Sequence, residues 1–249
     1  MSRYADVLDA RGNKLSPCPE DRARDLIRRG KAEIVSEEPF IIRLHQVVDI
    51  PRPATPEPAR PPEDRRLLLH ICCAPCSTYS VRHLTEQGGA IVGFWFNPNI
   101  HPEAEHERRR ETLARYAGEA GFDVIWEPGF EMDEFLQAVA GREAFRVRCM
   151  VCYRMRLECT ARVAAREGFD AFSSTLLISP YQDQEAIRSL GEEVAATHGV
   201  EFYFENLRKG FAEHYRLARA SRLYMQNYCG CIYSLREAEQ QRSSRRPTG

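Results

Sequence analysis

The stretch LLLHICCAPCSTYS, residues 67–80, decides how the chain is read. Residues 67–71 form an apolar run, interrupted only by His70, with the length of a parallel strand covered on both faces. Residues 77–89 follow as a helix that stops at two glycines. At the bend between them lie Cys72, Cys73 and Cys76. Free N–H groups and the dipole at a helix N-terminus favour negative charge, so thiolates are stabilised there. Pro75 suits the place because no backbone donor is needed of it. Adjacent cysteines point in different directions, so Cys72 and Cys73 need not bind the same atom.

The alternation continues outward: a strand at 90–98, a helix at 102–121, a strand at 122–128, helices at 131–141 and 149–168, a strand at 169–179, a helix at 183–199, a strand at 200–205 and a late helix at 211–223. Such alternation with short connections implies an α/β fold, a Rossmann-like parallel sheet covered by helices on both faces. It resembles the HUP and PP-loop group. Ligands of open α/β sheets sit beyond the carboxyl ends of the strands, where Cys72 and Cys73 fall.

Residues 51–62, PRPATPEPARPP, are half proline and form an extended spacer rather than helix or central strand. The expected organisation is therefore a small β-rich head at 1–50, a linker at 51–64, an α/β body at 65–242 and a disordered tail at 243–249. The head carries the pieces VLDARGNKLSPC, RARDLIRRGKAEIV and PFIIRL. These resemble the RRXRR-type domain found before some RNA-guided nucleases, but no nuclease motif follows. Arg22, Arg24, Arg28, Arg29 and Lys31 offer a basic helix face, balanced by Glu20, Asp21 and Asp25.

The 249 residues carry a formal net charge of -1, so any nucleic-acid contact rests on a local patch rather than on global charge. No run approaches the roughly 18 apolar residues of a membrane span, and the charged N-terminus does not read as a signal peptide. The expectation is a cytoplasmic protein without membrane contact. Nine cysteines in a reducing compartment argue against a disulfide framework. Seven fall in three clusters: Cys72, Cys73 and Cys76; Cys149 and Cys152; Cys229 and Cys231.

Cys149 and Cys152, in CMVC, have metal-ligand spacing at a helix start, and alone fit zinc, iron–sulfur or a thiol redox pair. Together with CCAPC on another βα unit they can complete a four-thiolate shell for a 4Fe-4S cluster. A zinc staple uses the same ligands and is the alternative. Cys229 and Cys231, flanking a glycine, can close a small, reducible disulfide and read as a redox pair, or as extra metal ligands. Cys18 stands without a partner, and Cys159 reads as a buried apolar residue.

With these motifs in order, the body resembles the cobalamin-independent epoxyqueuosine reductases of the QueH type. The likeness runs from LLLHICCAPCSTYSV through FWFNPNIHPEAEHERRRE, RCMVCYRMRLECTA, FSSTLLISPYQDQEAI and ENLRKGF to LYMQNYCGCIYS. It implies reduction of epoxyqueuosine to queuosine at the wobble position of tRNA, a two-electron deoxygenation of an epoxide to an alkene. It implies a 4Fe-4S cluster on Cys72, Cys73, Cys149 and Cys152, and a redox-active pair at Cys229 and Cys231. It also implies an additional metal, an iron, for which Cys76 is the candidate ligand, and an external electron donor.

A tRNA substrate needs phosphate contacts and a pocket for an extruded base. Arg146 and Arg148, Asn97 and Asn99, Tyr181, Asn227 and Tyr228 are the expected tRNA and substrate residues. Arg108, Arg109, Arg110, Arg154, Arg156, Arg208 and Lys209 are further phosphate candidates. His70 and Tyr181 are candidates for proton transfer, His70 equally a packed strand-end residue. One rival is an ATP-dependent tRNA thiolation enzyme, but CCAPCS replaces the glycine-serine phosphate loop its chemistry needs. The other is a zinc-stapled RNA-binding module.

Overall fold

The computed structural model describes residues 4–12, 14–38, 40–46, 65–128 and 132–244. The chain divides into two compact units, Met1–Glu57 and Pro58–Gly249. The whole proline-rich spacer and the tail beyond residue 244 lie outside the described residues.

In the smaller unit β1 (Tyr4–Leu8), β2 (Lys14–Pro19), β3 (Ala32–Glu37) and β4 (Phe40–Leu44) form a four-stranded sheet in the order β2-β1-β4-β3. Helix α1 (Glu20–Arg28) shares its core through Ala23, which packs with Ala5, Val7, Ala32 and Ile42. Cys18 is half-buried against that core. On the charged face Arg24 pairs with Glu20, and both Arg28 and Arg29 pair with Asp25. These exposed pairs each contribute little stability, about 0–1 kcal/mol, and they balance most of the basic face expected there.

In the larger unit β5 (Arg66–His70), β6 (Ala90–Trp95), β7 (Val124–Trp126), β8 (Ala171–Ser174) and β9 (Glu201–Phe202) form a five-stranded, wholly parallel sheet in the order β7-β6-β5-β8-β9. The pleat sends successive β5 side chains to opposite faces. Leu68 packs with Leu157 and Val163 of α5 (Val147–Arg166) and Ile187 and Val194 of α6 (Gln184–His198). Leu67 and Leu69 pack with Val81 and Leu84 of α2 (Ala74–Glu86), Leu113 of α3 (Glu103–Ala120) and Ala218 of α7 (Phe211–Ala220). The body is therefore three layers, as its alternation predicts. Each fully buried Leu or Phe contributes about 1.5–3 kcal/mol of transfer free energy.

Strands β6, β7 and β9 are shorter than expected, and two further elements differ from the sequence reading. The strand expected at 169–179 stops at Ser174, because the Ser174 hydroxyl accepts from the Leu176 amide and turns residues Thr175–Ile178 into a 3₁₀ helix. After α4 (Met132–Val139) and the elements above, the chain closes with α8 (Ile232–Ser244), which carries helix two residues into the segment read as tail. Among the described residues no helix is long and apolar enough to cross a membrane.

Candidate functional site

The sheet's topological switch lies between β5 and β8, where the chain turns from building toward β7 to building toward β9. The crevice beyond those carboxyl ends is the usual ligand position. The loop after β5 enters it, and extended Cys73 directly precedes the first turn of α2. The sulfurs of Cys72, Cys73 and Cys76 all lie within 4.8 Å of one another, Cys72 and Cys73 at 3.8 Å. Among the described residues this is the one set of three or more possible metal ligands so close together.

Hydrogen bonds from Cys73 and then Cys76 hold the Cys72 thiol well below its ordinary range, against the effect of burial. Burial pushes Cys73 up, and the hydrogen bonds with Cys72 and Cys73 push Cys76 up. The Cys72 amide donates to Thr175 Oγ1 at 3.2 Å, and Gln226 Nε2 donates to Cys73 Sγ at 2.9 Å. Neither Thr175 nor Gln226 was singled out from the sequence; nothing in their local spacing marks them.

The other thiols gather from α5 and the segment before α8. Cys149 and Cys152 lie in the first turns of α5. Burial pushes the Cys152 thiol up to about 12, and the Arg156 guanidinium acts against it. Cys231 is buried with Phe135 and Val139, and Cys152 packs against the same cluster. Cys229 is exposed, and Gln182 Nε2 donates to its sulfur at 3.6 Å. Gly230 between them has φ 140, and a Cβ there would stand 3.1 Å from Ile100 Cγ1 and 3.4 Å from both Arg109 Nη1 and Asn99 Nδ2. Only glycine fits both that backbone and that space. All nine cysteines are free thiols.

Two arginines expected to contact phosphate are instead buried beside these thiols. Arg109, 2 % exposed, pairs with Glu105 at 2.7 Å and donates to the carbonyls of Cys229 at 3.1 Å and Tyr228 at 3.2 Å. Arg156, 1 % exposed, donates from Nε to Asn99 Oδ1 at 2.9 Å. The signal was in the helical spacing. Arg156 follows Cys152 by one turn on the same face, and Arg109 shares a stripe with buried His106 and Leu113.

Asn97 and Asn99, expected at the mouth, are buried and work through the scaffold: Asn97 Nδ2 donates to the Ile71 carbonyl at 3.0 Å, and Asn99 holds Arg156. His70 is buried at the strand end between Ser174 Oγ and the Phe96 carbonyl. Burial first, and then Arg156, lower its pKa to about 4, so it stays neutral. Arg146, Cys149, Tyr181, Tyr228, Cys229 and Cys231 line one cleft of about 820 Å³. Arg146 is exposed with φ 71, and Tyr181 is 78 % exposed. Tyr228 donates its hydroxyl to the His101 carbonyl and covers the Arg109 guanidinium. Asn227 is exposed beside Tyr228 and does not line the cleft.

Arg148 also borders the cleft, but its side chain is buried. It donates to both carboxylate oxygens of Glu237, at 2.8 and 2.6 Å, and to the Glu143 carbonyl at 2.8 Å, tying the start of α5 to α8. Glu237→Ala is expected to lower stability by about 1–3 kcal/mol, because it leaves a buried guanidinium underbonded. A fall in the urea midpoint at unchanged slope would show this.

The sequence profile of the family described as Epoxyqueuosine reductase QueH matches residues 67–237, and that of the RRXRR protein family matches residues 6–55. The epoxyqueuosine reductase QueH of Dehalococcoides mccartyi is 41% identical over 169 residues, which span 68% of this chain and 92% of that one. That of Thermotoga maritima is 34% identical over 179 residues, 69% of this chain and 91% of that one. Among solved structures, U34-tRNA thiolase NcsA from Methanococcus maripaludis with its 4Fe-4S cluster is similar at TM-score 0.42 and 12% identity, over 74% of this chain and 66% of that one. On the match from residue 67 to residue 237, where every clustered cysteine lies, the chain belongs to the QueH family of epoxyqueuosine reductases.

Proposed function

We propose that the cleft receives the epoxyqueuosine nucleoside of a tRNA and that the thiols in and below its wall serve reduction of the epoxide to the alkene of queuosine. One observation carries the reading: Cys72, Cys73 and Cys76 come within 4.8 Å of one another at the sheet's ligand-binding end, and Cys149, Cys229 and Cys231 line a cleft of about 820 Å³. That volume is in the range of small-molecule sites, roughly 300–1,000 Å³. Belonging to an oxidoreductase family fits a site whose reactive groups are thiols.

Loss of the epoxide oxygen as water takes two electrons and two protons. Closure of the Cys229 and Cys231 thiols to a disulfide releases that number of each, and the exposed Cys229 keeps the pair open to an external electron donor that resets it. Tyr181 and Tyr228 offer ring faces for stacking at the cleft, and Arg146 offers a phosphate contact. Neutral His70 ties the end of β5 to Ser174 of β8 and to the Phe96 carbonyl after β6 rather than supplying a proton.

An all-sulfur donor set, one member of which has its pKa held down by its neighbours, suits a soft metal or iron–sulfur cluster. On this reading Cys72, Cys73, Cys149 and Cys152 hold a 4Fe-4S cluster, and Cys76 is the ligand to an additional iron. When bound, such a cluster supplies single electrons at low potential, and an open iron is a Lewis acid for an epoxide oxygen. The close spacing of Cys72, Cys73 and Cys76 favours a second arrangement in which those three sulfurs share one centre.

The test is anaerobic incubation with epoxyqueuosine-containing tRNA and a strong reductant, followed by nucleoside mass spectrometry. The expected product has lost one oxygen. An unchanged nucleoside from iron-loaded protein would overturn the assignment, and a protein that takes up only zinc would favour the staple.

A further inference from the structure

Arg109 has a carboxylate partner, Glu105. Arg156 has none: among the described residues it makes no ion pair with Asp or Glu, and its hydrogen bonds go to the neutral amide of Asn99. It is nonetheless 1 % exposed. A buried guanidinium needs negative charge close by. The sulfurs around it would supply that charge when they act as metal ligands. Cys152 lies one helical turn before it on α5, and Cys72 and Cys229 lie within its electrostatic reach from the other two segments. The cation Arg109 also lies within its electrostatic reach. Asn99 completes the arrangement: its Oδ1 accepts from Arg156, and its Nδ2 lies against Gly230, between Cys229 and Cys231.

We infer that Arg156 is the buried counter-charge of the thiolate centre, held in place by Asn99, and that it sets how readily that centre accepts an electron. The inference rests on the reading of these cysteines as the ligands of an iron–sulfur centre. Arg156 is a positioning residue and does not touch substrate. Adding an electron to an already negative centre is favoured by a fixed positive charge beside it, and net charge and hydrogen bonding are the main protein controls on cluster potential. Removing the charge must therefore make reduction harder.

The test uses the full chain reconstituted with ferrous iron and sulfide. Iron and sulfide content are measured, and the midpoint potential is determined by titration followed by electron paramagnetic resonance. Arg156→Lys is expected to keep the wild-type potential closely. Arg156→Met is expected to shift it to more negative values and to reduce the iron retained after gel filtration. Asn99→Asp offers the same test without removing the arginine: an isosteric carboxylate neutralises Arg156 where it stands, so the potential again moves negative. If Arg156→Met does not fold, Asn99→Asp decides. Potentials unchanged in every variant that loads iron would overturn the inference and leave the ligand reading intact. Wild-type protein that binds no iron would overturn both.

Discussion

Arg109→Met is expected to destabilise the protein by about 3–5 kcal/mol, the usual cost of removing one partner from a buried ion pair. For a unit of this size that is a fall of roughly 10 °C in melting temperature. Glu105 would remain buried, with Tyr224 as its remaining hydrogen-bond donor. The carbonyls of Tyr228 and Cys229 would lose the guanidinium they share. Adding Glu105→Leu is expected to restore much of the stability, because the uncompensated charge goes with it. It does not restore the anchored backbone at Cys229, so reductase activity stays low in the double variant. Thermal melts and activity measured on the same three variants separate the two roles. A single variant within 1 kcal/mol of wild type would mean that the pair does not bear on stability.

Cys72→Ser is expected to lower reduction of epoxyqueuosine by at least about a thousandfold, the scale seen when one member of a cooperating set is removed. It should also lower bound iron. Serine has the shape of cysteine, and Cys72 is only partly buried, so the fold is retained. Its hydroxyl is a far weaker ligand for soft metals than a thiolate. The same change at Cys149 is expected to act alike if the shell spans both segments. Cys76→Ser separates the two arrangements. Retained cluster absorbance with lost activity favours a separate iron at Cys76, and loss of both favours the close trio as one centre. Full activity in both Cys72→Ser and Cys149→Ser would remove these residues from the chemistry.

The architecture was legible because strand and helix write different periods. Residues 67–71 could not be an amphipathic strand, and a sheet with helices on both faces gives Leu67, Leu68 and Leu69 buried places on alternate sides. The cysteine segments stood out because thiols at close spacing are rarely left to packing alone, and the fold brings Cys72, Cys73 and Cys76 within 4.8 Å of one another. The arginines were not. A run such as Arg108, Arg109 and Arg110 looks uniform, yet only Arg109 faces inward; Arg110 pairs with Glu107 and Arg108 lies over Tyr224. Asn97 and Asn99 misled for the opposite reason: polar residues at a strand end suggest a mouth, and here the loop folds under itself. Which polar group turns inward depends on partners far along the chain, such as Glu237 for Arg148 or the Cys229 carbonyl for Arg109.

The way the thiols are distributed along the chain has a consequence for quality control. Cys72, Cys73 and Cys76 are neighbours in sequence, so even an unfolded polypeptide offers them to a metal ion as a ready chelate. Metal bound in that state opposes folding, because it stabilises the wrong side of the equilibrium. The Cys149–Cys152 pair and the Cys229–Cys231 pair, by contrast, meet only once the parallel crossovers are complete and α8 has docked. The second group thus acts as a checkpoint. A centre that draws on both groups discriminates between a finished protein and a nascent one, whereas a lone zinc on the first three thiols does not. Iron supplied after folding should therefore give a higher yield of active protein than metal supplied during refolding from denaturant.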